Sequence, residues 1–251
     1  MVLGVEAAAI GVAATIALAV LAVLGRALTR LAGTVAAAFG CVIVVLAGYP
    51  FLALLALFVV VSAAATRYRF EEKRSRHVQE GTAGERGISN VVAHIVIPTG
   101  LAVAAAVTSG RLPDVAVLYA GALAFGTSDT LASEFGVLSG RARSILTMRP
   151  VEAGTNGGVS GIGTLFALAG GLFTAAVAVP LFLLFGTPIG PVGTFVGVVT
   201  AAGFLGCQVD SVLGELLENR GFLSKGSTNF LGMLAAVGIA YGLLRAVGGA
   251  P

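Results

Sequence analysis

Long apolar runs constrain the fold of this chain more than any other feature. Each run extends for about twenty residues, which is the length that an α-helix needs to cross a bilayer. Hydrophobic residues make up 57% of the sequence and charged residues 11%, whereas soluble globular proteins carry roughly 25% charged residues. Strands of transmembrane β-barrels alternate over roughly ten residues, so continuous runs of this length favour helices. The sequence therefore predicts a polytopic helical membrane protein and excludes the water-soluble class.

Eight such runs are separated by short segments that contain Gly, Pro and charged residues. The fold class that follows is all-α, a transmembrane bundle of about eight helices. Gly at 36 residues and the absence of Trp favour slim helices that pack closely through small residues. The expected spans cover residues 3–24, 31–48, 50–66, 90–109, 115–137, 161–185, 191–214 and 229–247.

The basic residues are distributed unevenly between the connections, and this predicts the orientation of the bundle. Apart from Arg111 and Arg245, all of the 15 Lys and Arg residues lie in or beside the first, third, fifth and seventh connections. Cytoplasmic connections carry the excess of Lys and Arg, so we expect both termini outside and every long connection in the cytoplasm. The first span contains Glu6 and lacks a basic leader region, so it is expected to be a retained anchor.

The net charge of +3 arises from these basic connections and indicates no nucleic-acid partner. The charged run from Arg67 to Arg86 mixes basic residues with Glu, and we interpret it as a solvated helical extension. Only two cysteines occur, Cys41 and Cys207, both inside apolar runs. They form neither a disulfide framework nor a zinc-ligand pattern.

An acidic pattern occurs twice, each time near the cytoplasmic end of a predicted span. Asp, a hydroxyl residue, two apolar residues, a small residue and Glu occupy residues 129–134 and again residues 210–215. An acidic residue inside a bilayer costs about 3 kcal/mol on insertion scales, so each one is a candidate functional residue. We divide the chain into an N-terminal three-span region (1–66), a charged cytoplasmic segment (67–89) and a five-span catalytic core (90–251) that carries this repeat.

The four carboxylates of the repeat are expected to lie at one depth on two helices, Asp129 and Glu134 on the first and Asp210 and Glu215 on the second. Residues five apart are about 140° apart on a helix, so each Asp can hold a metal while each Glu supports a neighbouring element. Carboxylates from two helices suit Mg²⁺, which also binds substrate phosphates. A purely structural role, as interhelical hydrogen bonds, stays open.

Three outward-running spans begin next to Gly, Ser, Thr and Asn residues, with a basic residue just upstream. Free N–H groups at a helix N-terminus attract anions, and Gly allows a phosphate to come close. Each segment alone is an ordinary helix cap or turn, and their joint position predicts a phosphate site. The candidate phosphate-binding residues are Arg86, Ser89, Asn90, Arg149, Thr155, Asn156, Gly157, Gly158, Ser160, Lys225 and Asn229.

The residues 128–139, 149–151 and 154–160 together resemble the prokaryotic and plastid integral membrane family that contains phytyl-phosphate kinase. The resemblance extends to residues 86–90 and 210–214 and covers roughly residues 80–235. That family typically has Trp where this chain has Leu131, which puts a lipid or packing contact in doubt but not the carboxylates.

The resemblance implies transfer of the γ-phosphoryl group of a nucleotide to a prenyl monophosphate, giving the prenyl diphosphate. CTP is the donor implied by related polyprenol kinases and cytidylyltransferases. On this hypothesis Asp129, Asp210, Glu134 and Glu215 are catalytic, and Asp129 and Asp210 bind Mg²⁺. The partners are then CTP or another nucleoside triphosphate, a prenyl monophosphate such as phytyl or geranylgeranyl phosphate, and the membrane, while a homo-oligomer stays open.

Two other functions fit the same residues. An ion-coupled secondary transporter also contains intramembrane carboxylates and internal repeats, but its site is expected near the bilayer midplane. A CTP-dependent lipid cytidylyltransferase would use the same site and release pyrophosphate. A non-catalytic scaffold would leave the repeated acidic pattern without a reason.

Overall fold

The computed structural model describes residues 4–108 and 112–248 as nine α-helices, a 3₁₀ turn, a π-helical segment and three short strands. The helices are α1 (Val5–Leu24), α2 (Arg30–Ala47), α3 (Tyr49–Arg67), α4 (Phe70–Ser75), α5 (Ile88–Val107), α6 (Leu112–Gly136), α7 (Gly161–Leu184), α8 (Val192–Leu213) and α9 (Lys225–Ala246). The remaining elements are the 3₁₀ turn (Val137–Ser139), the strands β1 (Ala142–Ser144), β2 (Pro150–Val151) and β3 (Gly158–Val159), and the π segment (Gly214–Glu218).

Eight of these helices, all except α4, are long and apolar enough to cross a membrane. The predicted helical bundle is therefore confirmed. The predicted and observed ends agree to within three residues except at the start of α9, which lies four residues earlier than expected, at Lys225. The hydroxyl of Ser224 caps this helix by accepting a hydrogen bond from the Ser227 N–H (3.3 Å). Three residues used in the predictions, Leu3, Ser109 and Arg111, lie outside the described residues.

The first and third connections meet at one end of the bundle. Leu28 and Arg86 form a short parallel bridge, in which the Arg86 N–H donates to the Ala27 carbonyl at 2.9 Å. The Arg67 guanidinium also donates to the Gly25 carbonyl. We call this the charged end. At the opposite end, Arg245 pairs with Asp114 (3.5 Å), as the alternating topology requires. Placement of the charged end in the cytoplasm stays a prediction.

Close approaches at glycine build the centre of the bundle. α6 is the most buried of the spanning helices, with 78% of its most apolar window inside the protein. A Cβ at Gly170 of α7 would lie 2.8 Å from the Ser128 Cα, and one at Gly203 of α8 would lie 2.9 Å from the Ala124 Cβ. The predicted packing through small residues is confirmed at these contacts. The hydrophobic core includes side chains from α2 and α3 as well as α5–α9, so the three-part division of the chain stays a prediction.

Aromatic side chains fill the interior towards the opposite end. The Phe51 ring lies 4.8 Å from the Tyr119 ring and 5.1 Å from the Phe182 ring, and Phe182 meets Phe195 at 6.1 Å between centroids. The Tyr119 hydroxyl donates to the Phe51 carbonyl at 2.8 Å, which satisfies a polar group that would otherwise be costly to bury. These four side chains are at most 1% exposed, so the bundle is closed there.

The connection between α6 and α7 forms a small antiparallel sheet in the order β2-β1-β3. Ala142 pairs with Val151, and Arg143 pairs with Val159. The sequence analysis did not predict this sheet, which adds seven strand residues to the all-α bundle.

The charged run between α3 and α5 differs from the predicted solvated extension. α3 ends at Arg67, and α4 has only six residues. Lys73 of α4 is fully buried, and its ammonium donates to the carbonyls of Ala65 (2.8 Å) and Thr66 (3.1 Å). It thereby adds hydrogen bonds to two carbonyl groups of the last turn of α3, where such groups lack their full helical partners. The interpretation as a solvated helix is wrong because this lysine anchors the segment to the bundle.

Candidate functional site

A cavity of about 740 Å³ opens at the charged end of the bundle. Its walls are the last turns of α6 and α8 and the first turns of α7 and α9, and loop residues 76–80 and 152–160 also border it. A volume of this size lies in the range of small-molecule sites, roughly 300–1,000 Å³. The acidic residues that border it are Glu80, Asp129, Glu134, Glu152, Asp210 and Glu218.

Asp129 and Asp210, the two predicted metal ligands, border this same cavity from α6 and α8. Asp210 Oδ1 is buried and has no hydrogen-bond partner among the described residues. Gly232 of α9 allows the close packing here, because a Cβ would lie 2.9 Å from that oxygen and 2.7 Å from the Phe125 ring. An unpartnered buried carboxylate oxygen is costly, and a cation would supply its missing partner.

Glu134 borders the cavity, but its two oxygens are already engaged. Oε1 accepts a hydrogen bond from the Thr66 hydroxyl (2.7 Å), and Oε2 pairs with the Lys73 ammonium (2.6 Å). The Lys73 side chain is 0% exposed and that of Glu134 is 7% exposed. These contacts hold α4 and the end of α3 against α6. They support a positioning role for Glu134, while its catalytic role stays a prediction.

Glu215 holds the small sheet rather than bordering the cavity. It lies on the first turn after α8, where Oε1 accepts from the Ser144 hydroxyl (2.6 Å) and Oε2 from the Leu146 N–H (3.3 Å). Gly157 packs directly onto this residue, because a Cβ at Gly157 would lie 2.4 Å from the Glu215 Cβ. These contacts support a positioning role for Glu215 as well, and its catalytic role stays a prediction.

Two of the three predicted helix N-termini face the cavity. Ser160 caps α7 by accepting from the Gly163 N–H (3.0 Å), and it borders the cavity. At the start of α9, Lys225 and Asn229 border the cavity one turn apart. The Lys225 ammonium lies 2.7 Å from Glu80 Oε2, and the Lys225 side chain is 62% exposed.

The third N-terminus, that of α5, lies behind α9 instead. The Arg86 guanidinium donates to Asn90 Oδ1 (3.1 Å) and to the Thr130 hydroxyl (3.3 Å). Ser89 packs closely against Gly226, because a Cβ at Gly226 would lie 2.2 Å from the Ser89 hydroxyl oxygen. Arg86, Ser89 and Asn90 do not border the cavity. The expected convergence of all three N-termini on one cavity is therefore wrong for α5.

The connection after β2 contributes a turn to the cavity wall. Thr155, Asn156, Gly157 and Gly158 all border the cavity, as expected for a phosphate-binding turn. The Gly158 N–H donates to the Thr155 carbonyl (2.8 Å), and Gly157 has φ +79°, a conformation that favours glycine. Arg149 is exposed and does not border the cavity, so its expected place in the site is wrong.

Glu218 was missed because the predicted span ends at residue 214 and leaves Glu218 in the connection that follows. Eight residues on an α-helix turn through about 800°, which would place Glu218 roughly 80° away from Asp210. Residues 214–218 are π-helical, and the wider π turn, with roughly 4.4 residues, returns Glu218 to nearly the same face. Both residues border the cavity.

Glu80 was missed because it lies in a run of charges without helical periodicity. Burial raises the pKa of Glu80, but the charge and hydrogen bond of the Lys225 ammonium outweigh that effect and hold the pKa below its ordinary value. Gln208 and Thr164 also border the cavity and were missed. Thr164 had a signal, since it follows the capping Ser160 by one helical turn.

The cavity contains more acidic than basic groups. Two of its acids are already paired, Glu134 with Lys73 and Glu80 with Lys225. The other four acids, Asp129, Glu152, Asp210 and Glu218, border the same cavity, and repulsion between like charges favours bound cations. Within residues 4–108 and 112–248, no group of three or more His, Cys, Asp or Glu residues is positioned to hold a metal ion. The role of Asp129 and Asp210 as Mg²⁺ ligands therefore stays a prediction.

The sequence matches the family described as integral membrane protein DUF92 over residues 13–242. The chain belongs to the DUF92 family. Its eight apolar spanning helices agree with that description.

Three relatives match this DUF92 chain over similar fractions of their sequences. An uncharacterized membrane protein of Methanocaldococcus jannaschii is 30% identical over 193 residues, 76% of this chain and 75% of the relative. An uncharacterized membrane protein of Synechocystis is 32% identical over 200 residues, with 75% and 73% covered. Protein PGR of Arabidopsis thaliana is 33% identical over 204 residues, with 71% and 68% covered. No solved structure matches the chain.

Proposed function

We propose that this protein is a membrane-embedded kinase that transfers the γ-phosphoryl group of CTP, or another nucleoside triphosphate, to a prenyl monophosphate. The observation that carries the proposal is the pairing of Asp129 and Asp210 in one cavity with Lys225 and the Gly157–Gly158 turn. Acidic groups for a cation, together with an ammonium and a glycine turn for phosphates, are the features that phosphoryl transfer uses. The choice of CTP and of a prenyl acceptor rests on the family resemblance.

Asp129 and Asp210 are the residues that would hold Mg²⁺. The unpartnered Asp210 Oδ1 and the surplus of carboxylates in the cavity fit a divalent cation. The ion would neutralise the phosphate oxygens on which negative charge develops. A polyphosphate is repelled by the acidic walls unless cations accompany it, so the proposal requires turnover to depend on Mg²⁺.

The protein's own groups would bind and align the two phosphates. Lys225 supplies a positive charge at the α9 N-terminus, and Gly157 and Gly158 allow close approach of a phosphate to the backbone. An oxygen of the prenyl monophosphate attacks the γ-phosphorus, the bond from that phosphorus to the β–γ bridging oxygen breaks, and the nucleoside diphosphate leaves. The attacking oxygen is already anionic, so alignment and charge neutralisation matter more than a general base.

The position of the cavity supports an enzyme over a transporter. Secondary transporters bind substrate near the bilayer midplane and expose the site to each side in turn. This cavity lies at the charged end, and Phe51, Tyr119, Phe182 and Phe195 close the bundle beyond it. We place the charged end in the cytoplasm, where nucleotides are, because its connections carry most of the Lys and Arg residues.

The test is turnover by purified protein with Mg²⁺, labelled CTP and geranylgeranyl or phytyl monophosphate. CDP and the prenyl diphosphate are the expected products. Pyrophosphate and a CDP-lipid would instead identify a cytidylyltransferase using the same cavity. Lack of nucleotide turnover with any prenyl phosphate or prenyl alcohol, alongside substrate uptake into liposomes, would overturn the kinase in favour of a carrier.

A further inference from the structure

α7 and α8 pack tightly near the middle of the bundle. A Cβ at Gly171 of α7 would lie 2.8 Å from the Thr200 carbonyl oxygen of α8. Another side of α7 packs on α6, because a Cβ at Gly163 would lie 3.0 Å from the Ala132 carbonyl oxygen. The two glycines therefore mark the sides of α7 that face α8 and α6.

From this contact both helices continue to the cavity at the charged end. Thr164 precedes Gly171 by seven residues, about two turns or 10 Å, so it lies on nearly the same side of α7 and faces α8. In the antiparallel α8, Gln208 follows Thr200 by eight residues, about 12 Å, so it lies at a matching level and roughly 80° around the helix from Thr200. Both Thr164 and Gln208 border the cavity, and neither is buried. Thr164 and Gln208 therefore form the part of the cavity wall where α7 and α8 meet, and we call this part of the wall the cleft.

The cleft faces outward from the bundle. α6 packs against both α7 and α8, and it lies on their inner side, where Gly163 and Gly203 contact it. On the outer side, Leu168 of α7 is 45% exposed and Leu205 of α8 is 41% exposed. In a bilayer these leucines lie among lipid chains. The outer side of the cleft is therefore turned towards the hydrocarbon region.

A long hydrocarbon chain has no room inside the bundle beneath the cavity. Ala167 and Cys207 border the cavity at its inner part and are 0% and 4% exposed. Beyond them, the interior is filled by the packed aromatic residues at the opposite end. A lipid phosphate bound in the cavity must therefore send its chain sideways.

We propose that the cleft between α7 and α8 is a lateral portal for a single-chain lipid monophosphate. The phosphate lies in the cavity, and the chain passes between Thr164 and Gln208 to lie along Leu168 and Leu205 in the bilayer. The inference rests on the proposed kinase function and names how its acceptor binds. Because the chain ends in lipid rather than in a closed pocket, the protein selects the phosphate and the first isoprene units and sets no upper limit on chain length.

Narrowing the portal tests the inference through activity. Thr164→Phe places a bulky side chain in the cleft, so kcat/KM for geranylgeranyl phosphate is expected to fall roughly tenfold or more. Dimethylallyl phosphate has a five-carbon chain that fits within the cavity, and its kcat/KM is expected to change by less than about twofold. Leu172→Phe is the matched control, because Leu172 lies on α7, is 49% exposed and does not border the cavity. Equal loss with both acceptors would overturn the portal.

A second measurement does not depend on turnover. Geranylgeranyl phosphate with a photoreactive group on its second isoprene unit is bound to the wild-type protein, irradiated and mapped by mass spectrometry. Cross-links to residues 164–168 and 205–212 are expected, and excess unlabelled geranylgeranyl phosphate should remove them. Specific cross-links confined to other helices would overturn the portal whether or not the protein proves to be a kinase.

Chain length provides the final comparison. Acceptors with three, four and more isoprene units are expected to give kcat/KM values within about threefold of one another. A sharp decline beyond a particular length would indicate a closed pocket and contradict the portal. If no acceptor of any length supports turnover but the cross-links fall in the cleft, the kinase proposal fails while the lipid portal stands.

Discussion

The buried pair of Lys73 and Glu134 provides a strong test of how the repeated acidic pattern works. Glu134 was expected to be catalytic, yet its oxygens bond to Thr66 and Lys73. Glu134→Gln keeps the size of the side chain and removes its charge, which leaves the Lys73 ammonium buried without a counter-ion. If Glu134 only positions α4, this substitution should lower stability first and activity as a consequence.

The size of the effect follows from burial. The Lys73 side chain is 0% exposed and that of Glu134 is 7% exposed, and breaking a buried ion pair by removing one partner costs about 3–5 kcal/mol. For proteins of this size, 1 kcal/mol shifts the unfolding midpoint by roughly 2–4 °C. The expected decrease for Glu134→Gln is therefore about 6–20 °C. Lys73→Met with Glu134→Gln leaves no unpaired charge, so the double variant should lose less than the sum of the two single variants.

The assay can use the protein's own thiols. The chain has no Trp, but Cys207 is 4% exposed and becomes accessible to a thiol-reactive dye when the detergent-solubilised protein unfolds. Glu71→Gln is the matched control, since the Glu71 side chain is 82% exposed, and it should leave the midpoint unchanged. A wild-type midpoint for Glu134→Gln combined with loss of turnover would refute the positioning role and restore the catalytic one.

Three further predictions concern the cavity and its loops. Asp129→Asn and Asp210→Asn should each abolish Mg²⁺-dependent turnover while keeping the unfolding midpoint near that of wild type, and wild-type turnover in either would contradict the metal assignment. Gly157→Ala should lower the midpoint by several degrees and raise the nucleotide KM. The new Cβ would lie 2.4 Å from the Glu215 Cβ, and the φ of this residue is strained for alanine. Gly161→Ala is the control and should change neither quantity, because a Cβ there meets nothing within 4 Å. Hydrogen bonding from Thr82 and the Ala83 N–H lowers the pKa of Glu85 from 4.5 to about 2. The ionised Glu85 therefore stabilises the loop fully above pH 4.5, and this stabilisation is lost as the pH falls towards 2. Glu85→Gln should remove that part of the pH dependence of loop proteolysis, and a pH profile equal to that of wild type would contradict the prediction.

The spanning helices could be predicted because a bilayer sets their length and requires their backbone groups to be bonded internally. The alternation of direction then brings the ends of α6 and α8 to one side, so the sharing of a cavity by Asp129 and Asp210 followed from the repeated pattern alone. The start of α9 was placed too late because Lys225 and the polar residues after it resemble a loop. They are helical because Ser224 caps them.

The partners of the charged residues could not be read from the sequence. Lys73 and Glu134 are 61 residues apart along the chain, and Glu80 and Lys225 are 145 residues apart. Six other charged residues surround Lys73 within residues 67–76, and such a run of charges is typical of a solvated surface. Only the folded chain distinguishes the one lysine that is buried, because the carbonyls that it bonds are those exposed by the end of α3.

The small sheet was missed for a different reason. Its strands have only two or three residues, which is too short to show an alternation of apolar and polar side chains. The strands are held by groups outside the sheet, namely Glu215 through Ser144 and Asn219 through the Asn156 carbonyl (3.0 Å). Local sequence carries little of this information because tertiary contacts determine the conformation.

The repeated pattern divides its two carboxylates in the same way in both copies. Each Asp borders the cavity, and each Glu, five residues later on another side of the helix, holds the connection that borders it. Glu134 binds α4 through Lys73, and Glu215 binds the sheet through Ser144. The loops over the cavity are therefore fixed to the helices that carry Asp129 and Asp210. A shift of either loop must be transmitted to the nearest Asp, so substitutions in these connections are expected to affect metal dependence even where the loop residues never contact the ion.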